Sequence, residues 1–575
     1  MPSLVGLARS GARSIQRGYE GYRTAFGDIT RRARRRFAAR DWSGAQKDAV
    51  ERLELYRLSV EEVRSELAAE LGSDLTNPAV WRQVRPLFSE AIAHLPDVEL
   101  AETFFNSVTR KVHVTVGVDA EIEYVDLDPR RDRYGHVSRV HQTFARSSTL
   151  PELVGRALSS NELTALYADL ERDAERVARE IGRRWAETGL AGEVGAIDLL
   201  GSVFYRATGA YLVGRLRGDD PGVTCPLVVV LVNGREGARV DAVLTTEREL
   251  SIVFSYTRSH FLAEIRRPAD VIRFLASILP RKPLADLWIA IGYAKHGKTE
   301  LYRDLIGHLR RSMDSFEHAP GDKGMVMIVF AQPSHDYVLK VIRDDFAPPK
   351  TNTRADVLGR YQLVFRHDRA GRMIEAQEFE HLIFDRDRFA PDLLEELVTA
   401  AAGTVTVDER HVHIRHLYVE RRVRPLNLFL REAEQGEAER VVRDYGQAIR
   451  DLATTNIFPG DLLLKNFGVT RSGRVTFYDY DELCLVTDCR FRDLPAARTA
   501  EEEMAAEPWY YVDPQDVFPA EFLNFMGLNK RLREVFLAEH AEVLTADFWR
   551  DLQRQHQNGQ VMDVFPYPPA ARLVR

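Results

Sequence analysis

In the run NIFPGDLLLKNFGVTRSGRVTFYDYDE, Asp461 and Asn466 stand in the spacing D-x-x-x-x-N, Lys465 directly precedes the asparagine, and Asp479 and Asp481 close the segment. Side chains of these types can orient or deprotonate a hydroxyl and can offer oxygen ligands to a hard divalent cation. Together they suit phosphoryl transfer, in which a protein acts mainly by positioning and by neutralising charge. A second candidate lies upstream, in APGDKGMVMIVFAQPSHDYVLKVIR. There Val338, Lys340 and Ile342 alternate on one face of a strand, against Tyr337, Leu339 and Val341 on the other. An ammonium among aliphatic neighbours is costly to bury without phosphate or carboxylate beside it. Gly321 and Gly324, just ahead, let backbone amides approach a phosphate closely.

The elements that must position these groups follow from patterning. Val441, Tyr445, Ala448 and Leu452 mark one stripe of a helix leading into Asp461. FGVT and RVTFY read as two short strands joined by a turn at Ser472-Gly473. The resulting order matches the protein-kinase layout, in which H-R-D-x-x-x-x-N is followed by a hairpin and D-F-G. Here Pro459 and Gly460 replace the histidine and arginine, Asp479-Tyr480-Asp481 replaces D-F-G, and no A-P-E is recognisable. Control by activation-loop phosphate read through that arginine is therefore not expected. HVHIRHLYVERR reads as a strand running toward an adenine-binding hinge over residues 418–422, with Pro425 opening the next helix. His411 and His413 share one face of it, and a metal there would need a third ligand that spacing alone does not place. Glu375, Glu378 and Glu380 are all candidates for the acid facing Lys340.

Two rival readings stand beside this one. Gly292 to Thr299 is a literal G-x-x-x-x-G-K-[ST] after the apolar run LWIAI, which would make the protein a P-loop ATPase using Lys298. A true P-loop sits in a parallel sheet with further βα units, whereas the pattern after Thr299 is one helix and an antiparallel hairpin. The other rival is a catalytically inactive kinase-like scaffold.

The chain of 575 residues is too long for one ordinary core, and 45% hydrophobic with 29% charged residues describes a globular protein. A net charge of -7 gives no global field for nucleic acid. Three cysteines without zinc spacing suit a reducing cytoplasm. No apolar run approaches the ~20 residues of a membrane span, and the arginine-rich start, with Arg31, Arg32, Arg34, Arg35 and Arg36, lacks the apolar core of a secretory signal. The first 215 residues or so read as mostly helical, with stripes at Leu53, Tyr56, Val60, Val63 and Leu67 and at Leu163, Leu166, Leu170, Ala174 and Val177. VTCPLVVVLV, RVDAVLTT and LSIVFSY predict a small β region near 222–256, and helix returns over 271–309. The fold class is α+β, with a domain boundary near 311–315.

The words KHGKTE, APGDKGMVM, YVLKVI, QEFE, IRHLYVERR, NIFPGD, KNFGVT, GRVTFYDYDE and EPWY, in this order, resemble the bacterial isocitrate dehydrogenase kinase/phosphatase family over nearly the whole chain. The resemblance implies a mostly helical regulatory domain over 1–312 that senses AMP, and a bilobal protein-kinase-like domain over 313–575. It implies an ATP loop of Ala319, Pro320, Gly321, Asp322, Lys323, Gly324 and Met325, an ATP-contacting Lys340, and Asp461, Asn466 and Asp479 around ATP and Mg2+. Where the family has an active-site aspartate before QEF, this chain has Glu375. The implied activity is phosphorylation of a serine of dimeric isocitrate dehydrogenase and its reversal with ADP or ATP, both at one site. That would control flux between the citric acid cycle and the glyoxylate bypass in the cytoplasm, and a homodimer is compatible with it. Asp481, where ordinary kinases carry glycine, is the candidate for orienting water in the phosphatase direction. The segment near 490–548, with Trp509, Tyr510 and Tyr511, is the candidate grip on the dehydrogenase.

Overall fold

The computed structural model describes residues 3–113, 118–125, 138–220, 222–255, 260–348, 350, 352–367, 369–495, 499, 510–562 and 564–573. The chain divides into two compact units, Met1–Met313 with Phe565–Arg575, and Asp314–Val564.

The first unit opens with α1 (Leu4–Ala39), α2 (Trp42–Leu71), α3 (Pro78–Ile92) and α4 (Val98–Val112). Ser3, Asp41 and Asn77 cap the first three by accepting from backbone N–H groups of the opening turn. The stripe Val60, Val63 and Leu67 of α2 is buried. Part of the arginine cluster joins α1 to α2, since Arg36 and Arg32 reach the buried Asp48 at 2.8 and 3.2 Å.

A six-stranded antiparallel sheet follows, built from β1 (His141–Ala145), β2 (Val194–Leu200), β3 (Phe204–Arg206), β4 (Gly209–Gly218), β5 (Thr224–Gly234) and β6 (Gly237–Leu244). Between β1 and β2 run α5 (Leu150–Leu158) and α6 (Leu170–Glu187). Val228 and Val230 of β5 pack into one core, while Leu227, Val229 and Leu231 pack into another. Both faces are covered, which is why VVVLV is continuously apolar and does not alternate. The β region is thus larger and earlier than the sequence predicts. β1 to β3 lie within the stretch read as helical, although Gly189 and Gly192 ahead of β2, Gly201-Ser202 after it and Thr208-Gly209 after β3 are turn signals that separate β2 and β3 from helical patterning.

Two segments fold otherwise than their patterns predict. The described residues of LSIVFSY form no strand, since the first of them belong to α7 (Glu247–Val253), started by a capping box between Thr246 and Glu249. The P-loop reading also fails. LWIAI falls in and just after helix α9 (Leu284–Ala290), which follows α8 (Pro268–Ile278), and Lys298 and Thr299 lie inside α10 (Ala294–Arg311). Gly297 serves packing, because a Cβ there would stand 2.5 Å from Ile289 Cγ1 and 2.8 Å from the Ala285 carbonyl.

The second domain is expected to run to residue 575, yet Phe565–Arg575 belongs to the first unit. The Tyr567 hydroxyl donates to the buried Asp241 at 2.8 Å, Arg572 pairs with the same carboxylate at 2.9 Å, and the Leu573 N–H donates to the Asp241 carbonyl at 2.7 Å.

The second unit begins with β7 (Glu317–His318), β8 (Met327–Ala331), β9 (Tyr337–Ile342), α11 (Arg354–His367), β10 (Ala376–Asp385), α12 (Pro391–Ala400), β11 (Val405–Val407) and β12 (His411–Arg421). Its sheet is antiparallel in the order β10-β12-β9-β8-β7, with β11 on β12. Then come β13 (Arg424–Pro425), α13 (Leu426–Glu432), α14 (Gln435–Thr454), β14 (Ile457–Phe458), β15 (Phe467–Val469) and β16 (Val475–Phe477). The α14 stripe Val441, Tyr445, Ala448 and Leu452 is fully buried, each large side chain contributing roughly 1.5–3 kcal/mol. Arg372, also buried, bonds Asp451 at 2.7 Å and the Val475 carbonyl at 3.0 Å, tying the segment before β10 to α14 and β16. Among the described residues no helix is long and apolar enough to cross a membrane.

Candidate active site

One cavity of the second unit is lined by residues 319–325, Lys340, Asp461, Lys465, Asn466, Asp479 and Asp481. Each is placed by a different local rule. The loop ahead of β8 turns through Gly321 at φ 131°, a conformation that disfavours a side chain. A Cβ on Gly324 would stand 2.8 Å from the Met327 carbonyl. The loop is anchored from behind: Glu396 of α12 accepts from Lys323 at 3.0 Å and from Arg343 at 2.5 Å, and Arg343 also donates to the Gly324 carbonyl at 3.1 Å. His318 lies 2.5 Å from the same carboxylate. Burial alone would raise the Glu396 carboxyl, but the bonds from Arg343, His318 and Lys323 outweigh it and hold it at about 2.

Lys340 enters the cavity from β9. Its Nζ lies 2.7 Å from Glu420 Oε2 and 2.9 Å from the Tyr478 carbonyl. The other Glu420 oxygen accepts from the Tyr361 hydroxyl at 3.1 Å. Burial raises the Glu420 carboxyl, and the charge and hydrogen bond of Lys340 work against that rise. None of the three acids expected to face Lys340 does so. Glu375 accepts from the Gln377 side chain, Glu378 faces His416 at 2.8 Å, and Glu380 is exposed. The reason is sheet order: all three lie on or beside β10, and β12 intervenes between β10 and β9. Lys340 is paired with Tyr418 of β12, so Glu420 is the next residue on its face. Glu375 also lies outside the cavity lining.

The floor comes from the segment after α14. Gly460 at φ 80° precedes Asp461, and the Tyr445 hydroxyl donates to the Leu462 carbonyl from within the core. Buried Asn466 donates to the Asp461 carbonyl at 3.4 Å, which turns its amide oxygen away from that bond. The β15–β16 hairpin, paired Phe467 to Phe477, then delivers Asp479. Burial, then the like charge of Asp481 and its hydrogen bond, push the Asp479 carboxyl up to about 8. Burial and the Glu482 charge likewise raise Asp461, against the Leu463 N–H and the charges of Lys465 and Lys350. Lys350, which the sequence reading missed, lies 2.7 Å from Glu482 and 3.6 Å from Asp481. It stands outside every motif, and only the folded loop brings it into the cleft. Crowded carboxylates and an amide oxygen form the donor set that a hard divalent cation would relieve of mutual repulsion.

Among the described residues of 490–548, several aromatics serve packing. Phe522 and Phe536 are buried, and Trp549 just beyond stacks on Phe491 at 4.9 Å. Tyr511 and Phe525 are exposed, at 78% and 61%. Trp509 lies outside the described residues.

A glycine-turned loop over a strand lysine, its buried acid on the neighbouring strand β12, and an Asp-x4-Asn segment followed by a hairpin and a second aspartate define a protein-kinase-like phosphotransferase. Residues 12–313 match the family model "Isocitrate dehydrogenase kinase/phosphatase (AceK), regulatory domain", and residues 314–569 match "Isocitrate dehydrogenase kinase/phosphatase (AceK) kinase domain". Proteins named isocitrate dehydrogenase kinase/phosphatase from Anaeromyxobacter sp. (strain Fw109-5) and Anaeromyxobacter dehalogenans (strain 2CP-C) are 48% and 49% identical, over 99% of this chain and 98% of each relative. One from Xanthomonas euvesicatoria pv. vesicatoria (strain 85-10) is 43% identical over 98% of this chain and 97% of its own length. The chain belongs to the isocitrate dehydrogenase kinase/phosphatase family. It is an enzyme with kinase and phosphatase activity toward protein, and as a kinase it uses ATP with a divalent metal.

Proposed function

We propose that this chain phosphorylates and dephosphorylates a serine of dimeric isocitrate dehydrogenase, using Mg2+ and adenine nucleotide in one cleft, under control by AMP acting on the first unit. The observation that carries the reading is the convergence of Lys340, Asp461, Asn466 and Asp479 on a single cavity beneath the 319–325 loop. Glu420 keeps Lys340 extended toward the place where phosphates would lie. Asn466 and Asp479 are the metal ligands of this reading, and the metal nucleotide, when bound, supplies the phosphoryl group and the charge that separates these acids. Asp461, its carboxyl raised by burial, receives the proton of the serine hydroxyl. Lys465 at the rim, one residue before Asn466, steadies charge on the incoming group.

In the phosphatase direction Asp481 orients and deprotonates water. It is held for this by Lys350 and by the Asn352 side chain, which donates to its carbonyl at 3.2 Å. Glu375 lies outside the cavity lining and takes no step in this reading. The exposed Tyr511 and Phe525 are the candidate contacts to the dehydrogenase. A cytoplasmic setting follows from the substrate.

The test uses labelled ATP, Mg2+ and isocitrate dehydrogenase, followed by ADP-supported release of the label. The unsubstituted chain transfers and then releases it, while Asp481→Ala loses phosphatase rate at least tenfold more than kinase rate. Equal loss in both directions removes the selective role of Asp481, and absence of transfer to the dehydrogenase removes the substrate assignment.

A further inference from the structure

Far from the cleft, the turn between β11 and β12 gathers Asp408, His411 and His413, with one ligand atom of each within 4.8 Å of the others. Alternation along the strand puts both imidazoles on one face. The fold adds what spacing could not, a carboxylate turned back beside them. Asp408 Oδ1 accepts from the N–H groups of Arg410 and His411 at 2.8 and 2.7 Å, an ordinary cap for a tight turn. That cap requires neither ring. Yet Oδ2 lies 3.0 Å from His413 Nε2, and His411 Nδ1 lies 3.5 Å from Oδ1, with the ring centroids 6.1 Å apart. Asp385 pairs with His411 across the β10–β12 ladder and so adds an oxygen donor to the same face. The guanidinium of Arg386 is directed to the Asp408 backbone carbonyl, at 3.5 Å.

We propose that Asp408, His411 and His413 bind a divalent transition-metal ion of the Zn2+ type. Two imidazole nitrogens and a carboxylate oxygen favour such ions over Mg2+ or Ca2+, which take oxygen. Zinc bonds of ~2.0–2.1 Å imply ligand separations of about 3.3 Å in a tetrahedron, so the side chains must draw together by less than about 2 Å. The site is separate from catalysis, because His411 and Glu420 stand about 30 Å apart along β12 at ~3.3 Å per residue. Its occupant pins the turn that starts the hinge strand.

The full chain, stripped of metal and held in excess Mg2+, is titrated with Zn2+ against a chromogenic chelator, alongside His411→Ala, His413→Ala and Asp408→Asn. The last of these keeps an oxygen for the turn N–H groups and removes the charge. The expected result is one zinc site in the unsubstituted chain that weakens at least tenfold in every variant, with Mg2+-supported kinase rate unchanged within twofold. X-ray absorption of the zinc-loaded unsubstituted chain then shows two imidazoles, a readout that holds even where a variant does not fold. Equal zinc binding in chain and variants, or a zinc shell without imidazole, overturns the proposal.

Discussion

Lys340 and Glu420 are 6% and 1% exposed, so each charge depends on the other. Removing one partner of a buried pair typically costs about 3–5 kcal/mol, whereas replacing both by apolar groups is often neutral. Lys340→Met and Glu420→Met should each destabilise the second unit by about that much, and the double variant should recover most of the loss in urea unfolding. If the two costs simply add, the pair is not coupled. Lys340→Met should also lower phosphoryl transfer by about 10²–10³, the usual effect of losing one fixed electrostatic contact. The lysine was legible because three alternating residues place it among aliphatic neighbours. Its acid was not, because the partner is set by strand order, and nothing local in IRHLYVERR tells which strand β9 will pair with. That Asp461, Asn466 and Asp479 would line one cavity was legible because one helix, one loop and one hairpin carry all three within a short span.

At the level of elements, α12 governs the 319–325 loop through Glu396, whose one carboxylate gathers Lys323, Arg343 and His318. Glu396→Gln should raise KM for ATP several-fold and change kcat by less than twofold, because the loop loses its anchor while Asp461 and Asp479 keep theirs. The acid also stores pH-dependent stability. Its folded carboxyl sits at about 2, below the ordinary ~4.3, so its contribution is complete above that ordinary value and fades as pH falls toward 2. The gap in stability between the chain and Glu396→Gln should be about 2–3 kcal/mol near pH 6 and shrink on acidification; a gap independent of pH between 6 and 3 refutes the assignment. Elements misread from sequence failed for equally local reasons. The P-loop words sit on helices because Gly297 allows α10 to close on α9, and a capping box turned an apolar strand-like run into α7.

Across the whole molecule, the two-part α+β organisation was legible from the change of texture along the chain, while the size of the first sheet was not. Strands covered on both faces lose the alternation that marks them. The path of the last residues was equally hidden, since Tyr567, Arg572 and Leu573 carry no pattern that names Asp241 as their partner. That return has a topological consequence: the catalytic unit is spliced into the other, entering after Met313 and leaving at Val564. A single protease nick beside Met313 therefore should not release it, because the C-terminal fragment stays clasped through its tail to Asp241 of the other fragment. After such a nick the two fragments should co-elute in gel filtration, and a chain additionally truncated after Val564 should come apart. Separation of the singly nicked fragments would show that the clasp is too weak to act as a second hinge pin.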